Sequence, residues 1–420
     1  MSVPALQARF PVFKIGRLGG YAQKASAPVF SWSGLLDNSY QLALEKYVED
    51  HIGFRTLLIR VRNQLAYSLF RAARASQVVV GDDDILFEEA GIRAYLGQDF
   101  KGNEAVCLNV RRLKAVQDTL AKRGILLVFA IAPGKANFYP DHFPSYFKRQ
   151  PRTTTNYAAY AKQMQAQGIN LLDLAQAFQR WKDTASYPLF PRGGVHWSGY
   201  GIPLAADSLF RYIEQRGHFD LPDYAATGPS ISNHPLDSDN DAAQALNVLW
   251  EPPAYRMNSP DVTFRRRKPT QQRPNLLVVG DSFVYGLIGF YPYIPSLFSD
   301  KTQFWYYNNL VEMGARSDMP LSREVALLDR KKEILAQDVI LLLYNQQNLV
   351  SFDNGFSADA YAMFFPLTAA DQARIQALEQ ELQQSPAVQD KLWEQATTTG
   401  KDYNQLLHET AVKEYELRRP

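Results

Sequence analysis

The chain has little of several features that would place it in a special class of protein. It carries a single cysteine, Cys107, so an intrachain disulfide is impossible and the redox compartment stays open. Cys107 begins an amphipathic helical pattern, where a small buried side chain is expected rather than a nucleophile. No apolar run reaches the roughly 18 residues that a membrane-spanning helix needs. The N-terminus also lacks the apolar region of a signal peptide.

A charge imbalance is missing too. The 45 basic and 43 acidic residues give a net charge of +2, so no bulk field favours nucleic acid or an acidic surface. The histidines have no zinc-site spacing. Asp237-x-Asp239-x-Asp241 lacks the glycine and the glutamate that a calcium loop requires at its sixth and twelfth positions. We therefore expect no metal, no cofactor and no nucleic-acid partner.

What the chain does have is an ordinary globular composition, with 46% apolar, 21% charged and 13% aromatic residues. The aromatic content favours core packing, with sugar stacking in a groove as the alternative. Helical and strand patterns alternate along the sequence, which favours a parallel sheet covered by helices. Helical spacing is found at 41–75, 104–120, 156–167, 199–215 and 322–336, and strand patterns at 77–80, 125–131, 170–174, 275–280, 303–307 and 338–344.

This pattern predicts three parts of the chain. Residues 1–100 form a lead-in whose helices and short strand pack on the core, with little periodic structure over the first 40 residues. Residues 101–350 form an α/β domain, interrupted by a long polar surface excursion at 219–273. Residues 351–420 form a helical tail.

The motif with a chemical meaning is Gly-Asp-Ser at 280–282. It directly follows the apolar strand pattern at 276–279, and a serine at a strand exit projects into the crevice beyond the sheet, where a nucleophile is useful. A helix N-cap or a turn is the structural alternative. Serine needs a base. His196, in a glycine-rich loop, is the best one available, the alternative being a buried histidine packed beside Trp197.

These two segments resemble the SGNH hydrolase-like acyltransferases of the alginate O-acetyltransferase AlgX/AlgJ type. In that family Gly-Asp-Ser carries the nucleophile, and an upstream Asp-x-His supplies the base and its orienting acid. The segments Gly53-Phe54-Arg55 and Ala132-Pro133-Gly134-Lys135 agree with the family as well, so the resemblance covers roughly residues 40–350. It implies a three-layer SGNH-hydrolase-like (flavodoxin-like) parallel sheet with helical N- and C-terminal appendages.

One position departs from the family pattern. Gly194 stands two residues before His196, where the family has aspartate. A Ser-His dyad, an acid from elsewhere such as Asp183, and a pseudoenzyme are all open, and the first two are favoured. Asp281 is expected to hold the loop through backbone N–H groups. Asn308 and Asn309, at the end of the next strand, are expected to support the Ser282 amide at the oxyanion.

The resemblance implies an O-acyltransferase, most simply an O-acetyltransferase, that modifies an exopolysaccharide or surface glycan through an acyl-serine. An acetyl esterase is the nearby alternative. An alternative function that is not enzymatic is a non-catalytic binding or assembly subunit of a polysaccharide secretion system. The resemblance further implies a membrane-bound O-acyltransferase that supplies the acyl group. It implies an extracytoplasmic location, in the periplasm or at the cell surface, with an N-terminal targeting or anchoring segment ahead of Met1.

Overall fold

A central sheet of six strands organises the protein. The computed structural model describes residues 2–10, 12–13, 16–19, 24–228, 230–234, 236–314, 319 and 321–418. The strands are β1 Val78–Val80, β2 Leu86–Glu88, β3 Leu126–Ala132, β4 Leu171–Asp173, β5 Tyr224–Thr227, β6 Ile231–Ser232, β7 Met257–Asn258, β8 Asp261–Phe264, β9 Leu276–Gly280, β10 Gln303–Tyr306, β11 Leu310–Met313 and β12 Val339–Asn345.

Helices cover both sides of this sheet and form both ends of the chain. They are α1 Ser2–Arg9, α2 Trp32–Leu36, α3 Ser39–His51, α4 Arg55–Phe70, α5 Glu89–Leu96, α6 Asn103–Ala121, α7 Lys135–Phe138, α8 Ser145–Lys148, α9 Asn156–Ala166, α10 Leu174–Trp181, α11 Gly201–Gly217, α12 Asp241–Ala245, α13 Tyr293–Leu297, α14 Arg330–Leu335, α15 Phe356–Phe364, α16 Ala369–Gln383, α17 Pro386–Thr399 and α18 Tyr403–Arg418. In the described ranges, no helix is both long and apolar enough to cross a membrane.

The strands lie in the order β11-β10-β9-β12-β3-β4. Neighbouring strands run parallel from β10 to β4, whereas β11 pairs antiparallel with β10 at the edge. The predicted parallel sheet is therefore confirmed for five strands, and a hairpin closes one edge. The carboxyl ends of β9, β12 and β3 lie side by side, which is where a ligand site forms in a sheet of this kind.

Both faces of the sheet are buried, as a three-layer architecture requires. In β3, Val128 and Ala130 face a core that includes Phe210 of α11, while Phe129 and Ile131 face a second core with α6 and α15. Strands buried on both faces need apolar side chains at every position. This is why the continuous apolar runs along the chain predicted the sheet correctly.

Several elements differ from the sequence predictions. The helix predicted over 322–336 is shorter than predicted: α14 begins after Asp329, whose side chain accepts the Lys332 N–H, and a 3-10 turn at Val325–Leu327 precedes it. The pattern at 41–75 is split into α3 and α4 at Phe54, which adopts a left-handed conformation with φ of 63°. The lead-in contains α1 and α2, so it has more helix than predicted.

The excursion at 219–273 is folded rather than irregular. It contains the small antiparallel pairs β5–β8 and β6–β7 together with α12. At the C-terminus, α16–α18 bury a cluster of their own that includes Leu378 and Leu407. The division into parts at residues 100 and 350 stays a prediction.

Candidate active site

Ser282 lies at the carboxyl end of β9, at the first position of a 3-10 turn that runs from Ser282 to Leu287. Asp281 is completely buried and fixes this turn. One of its carboxylate oxygens accepts the Phe283 N–H at 3.0 Å. The other accepts the Asn345 N–H at 2.7 Å and the Asn348 side-chain amide at 2.7 Å. Asp281 thus ties the serine turn to the end of β12.

His196 lies in the loop between α10 and α11. The next residue, Trp197, is buried and packs against Phe178 and Phe283, with ring centroids 6.3 and 5.2 Å apart. The residue after the histidine therefore packs on the residue after the serine. Because both rings are buried, this contact fixes the two loops relative to each other.

The two side chains meet in a hydrogen bond. His196 Nε2 is 2.8 Å from Ser282 Oγ, although the residues are 86 positions apart. The other ring nitrogen, Nδ1, is 2.6 Å from Asp241 Oδ2. Asp241 Oδ1 also accepts the Val195 N–H at 3.0 Å, which fixes the backbone just before the histidine. This is the serine, histidine and acid chain that acyl transfer uses.

The orienting acid is Asp241, and this corrects the prediction of Asp183. Asp241 is the first residue of α12, within the excursion. Since it occupies the Nδ1 side of the imidazole, neither a Ser-His dyad nor a contact with Asp183, which lies beyond the end of α10, describes the site. In the sequence, Asp241 is marked by the acidic triplet at 237–241, which does not fit a calcium loop.

Gly194 explains why the acid comes from elsewhere. A Cβ at this position would lie 2.3 Å from the Ser238 carbonyl oxygen and 2.8 Å from the Asp239 carbonyl carbon. Both neighbours are backbone atoms, so they have little freedom to move aside. The excursion therefore takes the space of the missing side chain and brings its own carboxylate to the imidazole.

The asparagines predicted at the oxyanion lie elsewhere, which corrects that assignment. Asn308 Oδ1 accepts a hydrogen bond from Arg330 at 2.9 Å, and its amide donates to the Asn354 carbonyl at 3.0 Å. Asn309 is exposed. Tyr307 and Asn308 both have positive φ because the chain reverses here to form β11. The side chain of Asn308 is therefore bonded to Arg330 and to the Asn354 carbonyl instead.

Ser282 opens into a small pocket of about 180 Å³. The pocket is smaller than the roughly 300–1,000 Å³ of typical ligand sites, which suits a short acyl group and one end of its acceptor. Two larger cavities, of about 460 and 610 Å³, lie against α6 and α16–α18. The Ser282 pocket is therefore distinguished by the chemistry of its side chains and not by its volume. The pocket is lined by His196, Trp197, Ser238, Ser282, Tyr285, Gly286, Gly289 and Phe290.

The charges around the imidazole favour its protonated form. Burial lowers the pKa of His196, but the hydrogen bond and charge of Asp241, with smaller effects of Asp281 and Glu88, outweigh burial and raise the pKa above its ordinary value. A raised pKa makes His196 a stronger base for the serine proton.

Lys135 is a buried cation behind the histidine loop. Its ammonium donates to the carbonyls of Arg192 and Gly194 at 2.8 and 2.6 Å. Burial lowers the pKa of Lys135 to about 7, against the attraction of Asp241 and Asp239. Sequence reasoning noted this lysine only as part of the family resemblance, yet it holds the backbone two residues before His196.

Comparison with known proteins agrees with this geometry. The family model of the SGNH hydrolase-like domain of the acetyltransferase AlgX matches residues 78–297. The chain belongs to this family. The matched segment contains Lys135, His196, Asp241 and Ser282, so every residue of the proposed site falls within it.

The chain is also similar in sequence to curated proteins named as probable alginate O-acetylases. The chain is 30% identical over 211 residues to a probable alginate O-acetylase AlgJ of Pseudomonas aeruginosa, covering 49% of this chain and 51% of the relative. It is 29% identical over 202 residues to the AlgJ of Azotobacter vinelandii, covering 47% of each. The chain thus spans about half the length of the curated relatives it matches.

One solved structure is similar to this chain over part of its length. The O-acetyltransferase domain of Pseudomonas putida AlgJ is 20% identical, with a TM-score of 0.45, over 68% of this chain and 99% of that domain.

Proposed function

We propose that this protein is an O-acyltransferase, and most simply an O-acetyltransferase, that works through an acyl-serine at Ser282. The observation that supports this most directly is that one imidazole contacts both the Ser282 hydroxyl, at 2.8 Å, and the Asp241 carboxylate, at 2.6 Å. A histidine held only for packing would not need both contacts. The function also agrees with the family to which the chain belongs.

In the proposed reaction, His196 Nε2 takes the proton of the Ser282 hydroxyl while Oγ attacks the carbonyl carbon of an acyl ester or thioester. The negative charge that develops on the carbonyl oxygen is met by the Ser282 amide. The bond to the leaving group then breaks, and the protonated His196 returns the proton to it. In the second half, His196 deprotonates an acceptor hydroxyl, which attacks the acyl-serine carbonyl carbon. The bond to Ser282 Oγ then breaks, and the protonated His196 returns the proton to Oγ.

Asp241 has two tasks in this sequence. Accepting the Nδ1–H places the proton on the far side of the ring, so that Nε2 faces Ser282 as an acceptor. Its negative charge also stabilises the imidazolium that forms when the serine is deprotonated. Because the same carboxylate accepts the Val195 N–H, the ring and the loop that carries it are oriented together.

The acceptor proposed is a hydroxyl of an exopolysaccharide or another surface glycan. The support is that the curated relatives are named as probable alginate O-acetylases. Tyr285 is 40% exposed at the pocket, and a tyrosine in that position can stack on a sugar ring. An acetyl esterase would use the same acyl-enzyme with water as acceptor, so the ratio of transfer to hydrolysis separates the two.

The non-catalytic alternative predicts an imidazole that is out of reach of the serine and has no orienting group. The distances in this site are the opposite of that expectation. By family resemblance, we also propose an extracytoplasmic location and a membrane-bound O-acyltransferase as the source of the acyl group. Fractionation of cells and co-purification with that partner test these two proposals.

The proposed acyl-serine can be trapped directly. The protein is incubated with 4-nitrophenyl acetate, quenched in acid and digested, and the peptide that contains Ser282 is analysed by mass spectrometry. We expect one acetyl group on Ser282 and none in Ser282→Ala. As a control, Ser208→Ala removes a hydroxyl that bonds to the Leu204 carbonyl within α11, and should acetylate normally. An unmodified Ser282, or an equal release of nitrophenol by Ser282→Ala, would refute the assignment.

A further inference from the structure

Helix α4 has its polar side turned toward the protein. The side chain of Asn63 is buried and donates to the Leu246 carbonyl at 2.8 Å. Gln64 accepts the N–H groups of residues 249 and 250 at 3.1 and 2.9 Å. Arg60 donates to the carbonyl of residue 248 at 2.9 Å. Polar side chains of α4 therefore attach it to the backbone of segment 246–250, part of the excursion.

The opposite side of α4 is apolar and faces outward. Leu58, Val61, Leu65 and Leu69 are 55, 37, 53 and 68% exposed. Their spacing of three, four and four residues places them in one row along the helix, which we name the α4 stripe. Surface helices ordinarily bury their apolar row and expose their polar face. In the part of the chain that the structure describes, this reversed arrangement leaves much of the α4 stripe uncovered, as is typical of a surface that docks on a partner.

Exposed apolar side chains are concentrated around this helix. In the described residues, 18 of the 28 large hydrophobic side chains that are exposed come before residue 71. Phe70, at the end of α4, is 76% exposed. Trp250, whose backbone N–H donates to the Gln64 side chain of α4, is 72% exposed. Large aromatic side chains beside an apolar row are typical of segments that lie at a lipid–water interface.

The charge of this region selects among possible partners. Residues 51–81 contain five arginines and no acidic residue. The first 77 residues carry ten basic and four acidic side chains, against 35 and 39 in the remainder. Arg55 and Arg71 pair with Asp50 and Asp84. Arg62 follows Val61 of the stripe and is exposed, and its guanidinium donates to the uncharged Asn63 Oδ1 at 3.2 and 3.0 Å. An apolar row with a basic flank matches an anionic lipid surface.

We propose that α4 lies flat on a bilayer that contains anionic lipids, with the α4 stripe in the interface and Arg62 at the headgroups. This places a specific part of the fold against the membrane. Segment 246–250, to which α4 is attached, follows directly on α12, whose first residue is Asp241. A bilayer that holds the α4 stripe is therefore separated from this part of the excursion by the width of one helix. The proposal does not depend on the proposed reaction.

The test is sedimentation of the full chain with vesicles. One set contains phosphatidylcholine alone and the other phosphatidylcholine with phosphatidylglycerol, each at low and high salt. The variant replaces Leu58, Val61, Leu65 and Leu69 by serine. Since all four side chains are already exposed, circular dichroism and thermal unfolding should stay as in the unmodified protein. The matched control replaces Leu321, Leu327 and Trp393, which are 105, 60 and 59% exposed outside this region, by serine.

We expect the unmodified protein and the control to bind the vesicles that contain phosphatidylglycerol. The stripe variant should bind them at least roughly tenfold more weakly. Arg62→Glu should weaken binding at low salt and have less effect at high salt. Three results would overturn the proposal: no binding of the unmodified protein to either vesicle, equal binding by the stripe variant, or equal loss in the control. A dimer in solution that the stripe variant abolishes, without vesicle binding, would assign the stripe to a second copy of the chain instead.

Discussion

Gly194 and Ser238 are in direct backbone contact, because a Cβ built on Gly194 would approach the Ser238 carbonyl oxygen to 2.3 Å. The position at which the family has its orienting aspartate is therefore filled by the excursion of this chain. The excursion contributes Asp241 to the same imidazole from the other direction. The excursion thus both fills the space beside Gly194 and supplies the carboxylate that contacts the imidazole.

The first prediction is that restoring the family aspartate does not improve the enzyme. In Gly194→Asp the new side chain must displace the backbone at 238–239, which also displaces α12 and Asp241. We expect a lower melting temperature and at least roughly a tenfold loss of kcat for 4-nitrophenyl acetate. The double variant with Asp241→Asn should stay inactive. Recovery of activity in the double variant would show that an aspartate at position 194 can orient the imidazole of His196 in this protein.

The second prediction concerns Asp241 itself. Asp241→Asn keeps the shape of the side chain but removes the charge that stabilises the imidazolium, and it permits the wrong imidazole tautomer. In a serine protease the same change lowers kcat by about 10⁴, and we expect a loss of roughly 10³–10⁴ here. Asp183→Asn serves as the control and should retain the kcat of the unmodified protein. A large loss in Asp183→Asn with little in Asp241→Asn would reverse our assignment of the acid.

The third prediction is a pH profile. His196 acts as a base only when it is neutral, so kcat/KM should be full above its pKa and fall as the pH drops through it. Because Asp241 raises the pKa of His196, the midpoint should lie above the ordinary value of 6.5. In Asp241→Asn, burial remains while the charge is lost, and the midpoint of the residual activity should move down. A midpoint that moves up, or does not move, would contradict the electrostatic role of Asp241.

How much of this site the sequence could predict depends on how local each signal is. Ser282 stands two residues after the end of β9, so the apolar run of the strand and the tripeptide Gly-Asp-Ser were enough to locate it. The contact between His196 and Asp241 joins residues 45 positions apart, through a folded excursion. Nothing near either residue specifies that contact, because it depends on how α12 packs against the histidine loop. The acid was therefore out of reach of pattern analysis.

The asparagines show the opposite limit. Asn308 does stand at the carboxyl end of β10, as the strand pattern predicted. Its role depended on the direction of its side chain, which the positive φ of Tyr307 and Asn308 decides. That conformation follows from the antiparallel pairing of β11 with β10, which the prediction of a purely parallel sheet did not include. A correct strand thus led to an incorrect site residue.

The fourth prediction concerns Lys135 as a positioning residue. Lys135→Met keeps the buried chain but leaves the carbonyls of Arg192 and Gly194 without their shared donor. We expect kcat to fall by roughly ten- to a hundredfold with a smaller change in KM, because the histidine loses its fixed orientation. Lys148→Met, which removes an exposed ion pair with Asp82, is the control. A Lys135→Met enzyme with unchanged kcat and a lowered melting temperature would limit this lysine to a role in stability.

The last prediction uses two glycines of the same pocket. A Cβ on Gly286 would lie 2.5 Å from the indole nitrogen of Trp197, a ring only 1% exposed and packed on Phe283. A Cβ on Gly289 would have its closest contact at 3.5 Å, with the Tyr285 carbonyl oxygen. Gly286→Ala must therefore push Trp197 and the turn that carries Ser282 apart, at a cost of about 1–3 kcal/mol in stability. Its kcat/KM for 4-nitrophenyl acetate should fall more than roughly tenfold, whereas Gly289→Ala should stay within about twofold. Since both substitutions add one methyl group to the same pocket wall, equal effects would mean that the Trp197 contact does not position the nucleophile.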